Sequence, residues 1–350
     1  MDMNIKPNLF GLNKTNRDYT KEATWGKNQF NSSFPTALCC YLASKDIEAN
    51  YLSIQKKEFI ATTVTIKDVL GIEADDNDLY FAFEAQHTPF QRYVIGTLPR
   101  TDLVTQREST GKCLQGLEIK LTALPDNTTC NLDEKEYGSE LVVRPDTIVY
   151  LACSLATSLK EKLSKIIPNI QIEDWADASL VLPNIPIIIK TIQNISLLTE
   201  ENQTAFLIQP IWKTKGKSPQ LDEHCLDIFV WSNAGFTNFI SQIADNNPLA
   251  LKITRPTRTA IWLFKMLQDI AIKGKFDHES IIDNLSYNTK NDKAFASSGR
   301  ITNRYMSSPR LKNPIILKSE IKNIILGGGQ NMLSPERRFD AIIFNSPELF

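Results

Sequence analysis

GLEIKLTALPD, residues 116–126, alternates apolar and polar side chains with the period of a β-strand. Leu117, Ile119 and Leu121 fall on one face, and Glu118, Lys120 and Thr122 on the other. A carboxylate and an ammonium side by side on a core-anchored strand are costly to desolvate unless they have a partner or a purpose. Asp102 lies sixteen residues earlier in PRTDLV (99–104), next to Leu103 and Val104. A short strand and a turn would bring it alongside Glu118.

An aspartate followed by Glu-x-Lys on a strand is a minimal site for hydrolysing phosphodiesters. Two carboxylates offer the oxygen ligands that Mg²⁺ prefers. The metal polarises the phosphate and acidifies bound water, and a lysine on the same face orients or deprotonates that water and stabilises developing charge. The chain has three Glu/Asp-x-Lys matches: Glu118–Lys120, Asp133–Lys135 and Glu320–Lys322. Asp133–Lys135 even follows a literal Pro125-Asp126, but DNTTCNLDEKEYG is polar throughout and reads as loop. Glu320–Lys322 has no acidic residue within reach on a preceding strand. Only the first match has clean alternation. The plain alternative is a salt-bridged, exposed strand face. Glu84, in LYFAFEAQHTPF, is a candidate supporting carboxylate or an ordinary surface glutamate, and His87 a general base or a structural histidine.

Outward from this segment, KEFIATTVTI, LYFAFEA, AFLIQPIW and CLDIFVW read as strands. FPTALCCYLASK reads as a helix capped by Ser32 or Ser33, with Pro35 in its first turn. TIVYLACSLATSLKEKLSKII reads as one long helix. TRTAIWLFKMLQDIAIKGK is a helix with Thr254 or Thr257 near its start and Gly274 near its end. PIIIKTIQNISLL fits a helix or a buried strand. Ser286–Lys312 reads as a long loop. Strands and helices in this order give an α/β (α+β) fold with a central sheet.

The 350 residues have ordinary composition, with 42% apolar and 23% charged side chains, which excludes wholesale disorder. No signal-like or membrane-spanning run is expected, since prolines interrupt the greasiest stretch, SLVLPNIPIIIKTI. The six cysteines lack CxxC spacing, so reduced thiols in a cytoplasmic protein are expected. Gly327–Gly329 lacks the GKS/T ending of a phosphate-binding loop. Net charge is −1 overall, but residues 1–250 carry −8 and residues 251–350 carry +7. A basic final third beside an acidic body suits a polyanion. Candidate DNA contacts are Arg255 and Arg258 at a helix start, and Lys290, Lys293, Arg300, Arg304, Arg310 and Lys312 in the loop, with Tyr287, Phe295 and Tyr305 interleaved.

These stretches together resemble the HindVP-like type II restriction endonucleases of the PD-(D/E)XK nuclease superfamily. The resemblance runs through residues 9–42, TDLV, GLEIKLTALPD, SELVVRPDTI, RPTRTAIWLFKML and LSPERRFDAI, nearly the whole chain. It implies a restriction-endonuclease-like fold, a central mixed β-sheet flanked by helices. The chain reads as an N-terminal loop or arm (1–33), a nuclease core with a mixed α/β extension (34–250) and a basic DNA-recognition region (251–350), or as one continuous domain. The resemblance implies Mg²⁺-dependent cleavage of both strands of DNA at a short palindrome (GRCGYC for the family's namesake), leaving 5′-phosphates. A DNA methyltransferase protecting the host is the implied functional partner, and substrate symmetry implies a homodimer. Asp102 and Glu118 would bind the metal and Lys120 would be the catalytic lysine. One departure is that the superfamily's Pro-Asp is here Pro99-Arg100-Thr101-Asp102. Competing readings are a repair nuclease acting on DNA structure and a DNA-binding protein without catalysis.

Overall fold

The computed structural model describes residues 12, 14–17, 27–120, 137–138, 141–215, 220–245, 252–287, 294–297 and 308–321. Its centre is a mixed sheet. The hairpin of β1 (Ala49–Gln55) and β2 (Glu58–Val64) forms one edge. The meander of β3 (Leu79–Ala85), β4 (Thr101–Arg107) and β5 (Cys113–Ile119) forms the other. Between them lie β8 (Ala205–Thr214) and β9 (Leu221–Ser232), giving the order β2-β1-β9-β8-β5-β4-β3. β1 pairs with β9 and β5 with β8 in parallel, and the other neighbours along this path are antiparallel. Two short strands join from the side, β6 (Tyr137–Gly138) on β8 and β11 (Ile316–Leu317) on β9. A separate pair links β7 (Leu141–Val143) to β10 (Phe295–Ser297).

Alternation along the strands sends side chains into two cores. Leu103, Leu117, Ile119, Ile208, Ile228 and Val230 pack with helices α1 (Lys27–Ser44) and α2 (Ile66–Leu70) on one face. Phe34 of α1 stacks on Trp212 there. On the opposite face Leu207, Phe229 and Trp231 pack with α3 (Pro145–Leu159), α6 (Ile185–Leu198), α7 (Asn233–Asp245) and α8 (Arg255–Lys273). Short helices α4 (Leu163–Ile166), α5 (Ala178–Val181) and α9 (His278–Asn284) complete that layer. The expected α/β architecture, a mixed sheet flanked by helices, is what the chain forms. Because Leu117 and Ile119 face α1, Glu118 between them faces α3.

Three local expectations change. Helix α1 begins at Lys27, so Pro35 lies inside the helix and not in its first turn. The long helix expected from Thr147 stops at Leu159, where Lys160 takes a positive φ of 49° before α4 starts a new turn. The expected 286–312 loop contains β10 and a turn of helix at Pro309–Lys312. Helix α8 follows the reading closely, with Thr254 accepting a hydrogen bond from the Thr257 amide and Gly274 closing the helix at φ 76°. The apolar segment Ala178–Leu198 has the length and composition of a membrane span. It runs continuously through α5, a 3₁₀ turn at Leu182–Asn184 and α6, and Ile185, Ile188, Ile192 and Ile195 of α6 are buried in the core. The five described cysteines are free thiols.

Arg310, expected to contact DNA, is tied into the fold. Its Nε and Nη2 donate to Asp227 at 2.9 and 2.6 Å, and its Nη1 donates to the Glu48 carbonyl at 2.6 Å. Asp227 is fully buried, and burial pushes its carboxyl up while the guanidinium pulls it back. Removing one partner of such a pair strands the other charge. Arg310→Ala is therefore expected to lower unfolding free energy by about 3 kcal/mol in a urea titration. Unchanged stability with weakened DNA binding would return Arg310 to the DNA surface.

Candidate active site

The meander opens at its end. β4 and β5 pair in register up to Leu103↔Leu117, and β5 then continues beside β8, with Glu118↔Leu207 and Ile119↔Ile208. Backbone groups released where the strands part must find other partners. Side chains supply them: Asp102 Oδ2 accepts from the Ile119 amide at 2.7 Å, and the Thr101 hydroxyl lies 3.0 Å from the Leu117 carbonyl. The Lys120 amide continues the parallel pairing by donating to the Ile208 carbonyl at 2.9 Å. The fork thus brings Asp102, Glu118 and Lys120 to one place, on the face covered by α3.

Lys120 Nζ sits 2.8 Å from Glu118 Oε2 and 3.5 Å from Asp102 Oδ2. The Glu118 side chain is only 5% exposed, whereas that of Asp102 is 35% exposed, so the cluster opens to solvent past the aspartate. Glu118 also accepts from Thr101 Oγ1 and Thr147 Oγ1, each at 2.8 Å. Burial alone would raise the Glu118 carboxyl, but the Lys120 ammonium and the two threonine hydroxyls hold it below its ordinary range. Asp102 is shifted the other way, raised by burial and by the neighbouring Glu118 charge. Burial works against the Lys120 ammonium, yet the two carboxylates raise it above the usual lysine value. Glu118 is therefore the firmly ionised anion and Lys120 a firmly protonated cation.

The first turn of α3 forms a second wall. Thr147 is fully buried against Glu118, and the exposed Asp146 precedes it. Burial and the Glu118 charge raise the Asp146 carboxyl, while His278, Lys120 and Arg144 pull it down. Exposed Arg144 and Arg100 stand beside Asp146 and Asp102 in the chain. Thr101, Asp146 and Thr147 were given no role by the reading of motifs. SELVVRPDTI carried the signal for the last two, as one of the stretches bearing the resemblance.

Other expected site residues are placed less uniformly. Glu84 lies between the paired positions Phe83↔Leu103 and Ala85↔Thr101, beside Asp102 in the sheet. Its φ is 50°, and its carboxylate lies 3.3 Å from Arg17. His87 is buried edge-on to Phe90, and a Cβ at Gly116 would come within 2.9 Å of it, so the histidine is part of the packing behind β5. Arg258 is 1% exposed with its guanidinium 4.5 Å from the Trp262 ring, a buried position away from any phosphate. Arg255 and Lys312 are exposed. Lys290, Lys293, Arg300 and Arg304 lie outside the described residues, as do Asp126 and Asp133–Lys135. Glu320 of the third motif match accepts from Tyr41 and the Leu317 amide, a structural role.

Asp102 and Glu118 fit a hard divalent cation by the chemistry of their oxygen donors. Among the described residues no three His, Cys, Asp or Glu side chains close into a ready-made metal cage. Mg²⁺ does not require one, since it is commonly held by one or two carboxylates and keeps several waters.

The HindVP restriction endonuclease family model matches residues 25–350. The probable type II restriction enzyme HindVP of Haemophilus influenzae is 55% identical over 351 residues, spanning 99% of this chain and 96% of that protein. The type II restriction enzyme HgiDI of Herpetosiphon aurantiacus is 43% identical over 350 residues, spanning 99% and 97%. No solved structure matches the chain.

Burial lowers the His87 imidazole from 6.5 to about 4. The unfolded chain then takes up this proton more readily than the folded one, so His87 erodes stability as pH falls from about 6.5 towards 4. An NMR titration is expected to find its ring still neutral at about pH 5.5. A midpoint near 6.5 would contradict the packing role and reopen that of a base.

Proposed function

The chain belongs to the HindVP restriction endonuclease family, and from that premise we propose that it uses Asp102, Glu118 and Lys120 to cut both strands of DNA with Mg²⁺. It is a type II restriction endonuclease, a site-specific deoxyribonuclease. The observation that carries the reading of the site is the cluster at the fork of β4 and β5. It unites two carboxylates and a lysine at 2.8 and 3.5 Å, in a chain whose relatives bear that enzyme name.

In this reading Asp102 and Glu118 would hold the cation with their carboxylate oxygens. Bound Mg²⁺ supplies a Lewis acid for the phosphate and acidifies the attacking water. Lys120, 2.8 Å from Glu118 and 3.5 Å from Asp102, would orient the attacking water or take its proton, and neutralise charge developing on the phosphate. Thr101 and Thr147 fix the rotamer of Glu118, so its carboxylate needs little rearrangement when the cation arrives. Arg255 and Lys312, with the basic residues 290–304, contact the DNA, in keeping with the +7 balance of residues 251–350. A palindromic target such as GRCGYC, a homodimer with one site per strand, 5′-phosphate ends, a cytoplasmic location and a protecting methyltransferase complete the proposal. The segments 1–33, 34–250 and 251–350 act in it as arm, catalytic core and recognition region.

Digestion of plasmid DNA with the purified protein is expected to give discrete bands with Mg²⁺ and none with chelator. Glu118→Gln and Lys120→Ala should each lower the cleavage rate roughly 100-fold or more while retaining DNA binding in a gel-shift assay. Cleavage at the wild-type rate by either variant rejects the site, and an unbanded smear points to a nuclease that reads structure.

A further inference from the structure

We propose that Asp146 is a third carboxylate of the catalytic centre, carried by the first turn of α3 to help hold the divalent cation. The proposal rests on the reading that Asp102 and Glu118 bind that cation.

Position is the first argument. Thr147 Oγ1 donates to Glu118 Oε2 at 2.8 Å, which pins the first turn of α3 to the catalytic carboxylate. The adjacent Asp146 is on the open side of that contact, exposed, whereas Thr147 is buried. Among the described residues Asp146 makes no hydrogen bond and no ion pair, unlike Asp277, which caps α9, or Asp177, which caps α5. Charges that act on its carboxyl include Glu118 and Lys120 of the site, with Arg144 and His278. Favourable placement in the field of a helix N-terminus explains an acid in the first turn. It does not explain why this turn is bonded to Glu118.

Charge is the second argument. Asp102, Glu118 and Lys120, when all ionised, sum to −1, one short of balancing a divalent cation. Asp146 brings the sum to −2. His278 is an independent sign. It is 7% exposed and its Nδ1 has no hydrogen-bond partner among the described residues. A buried, unpartnered imidazole nitrogen within electrostatic reach of an unengaged carboxylate fits a site completed by something bound, here the cation with its waters. Because the three carboxylates do not close into a cage, Asp146 reaches the ion through its hydration shell, the manner in which Mg²⁺ keeps outer contacts.

The test compares full-length wild type with Asp146→Asn, Asp146→Ser, Asp146→Glu and Glu118→Gln by terbium(III) luminescence titration without DNA. Thermal melts check folding, and the Mg²⁺ concentration for half-maximal plasmid cleavage is a second readout. Removing the charge at residue 146 is expected to weaken terbium binding roughly tenfold or more and to raise the Mg²⁺ requirement in parallel. Asp146→Glu should restore affinity. Wild-type affinity in Asp146→Asn and Asp146→Ser, with binding lost in Glu118→Gln, overturns the role of Asp146 and leaves the two-carboxylate site intact. Equal loss in all three variants at 146, Glu included, shows a structural role and also overturns it. If wild type and Glu118→Gln bind terbium alike, the reading of the whole site fails, and this proposal with it.

Discussion

The site depends on one departure from regular pairing, the parting of β4 from β5 after Leu103 and Leu117. A β-ladder satisfies its backbone groups with other backbone groups. Where two strands separate inside a protein, those groups need side-chain partners or become a cost of ~1–3 kcal/mol each. Asp102 meets this need with a carboxylate on the Ile119 amide, and Thr101 with a hydroxyl near the Leu117 carbonyl. The residues that repair the fork are thus in, or next to, the proposed site. β8 captures the released strand in parallel, which fixes the height of Glu118 and Lys120 relative to Asp102.

The electrostatics follow from that geometry. Glu118 is buried deeply enough that it would resist ionisation alone, and an ammonium with two hydroxyls reverses the tendency. Asp102, raised by its own burial and by the neighbouring Glu118 charge, is left as the more reluctant acid. Two carboxylates whose environments push them apart can take different parts in one reaction. The lysine between them is the charge that makes their proximity tolerable, and the same charge is suited to a phosphate.

Much of this was legible in residue order. The period-two alternation of GLEIKL places Glu118 and Lys120 together because a strand leaves no other arrangement, and the β3–β4–β5 meander puts Asp102 opposite. Asp102 keeps its place although Pro99 is displaced, because the aspartate is held by the Ile119 amide and needs no adjacent proline. Thr147, which carried no motif, acts across distance in the chain: it reaches Glu118 only because α3 lies across that face of the sheet. Arg258 and Arg310 show the opposite failure. Both read as polyanion contacts by charge, and both are occupied inside the fold, one against Trp262 and one by Asp227. Charge in a sequence says nothing about whether a partner waits in the core. The break of the long helix at Lys160 had no warning glycine or proline at that residue.

Crystallographic localisation of Mn²⁺ by anomalous scattering in the protein bound to DNA tests the central claim most directly. The account predicts a peak with carboxylate oxygens of both Asp102 and Glu118 within about 2.5 Å and Lys120 facing the neighbouring phosphate. A cation bound elsewhere, with Asp102 and Glu118 still closed on Lys120 in a complex competent to cleave, would contradict it.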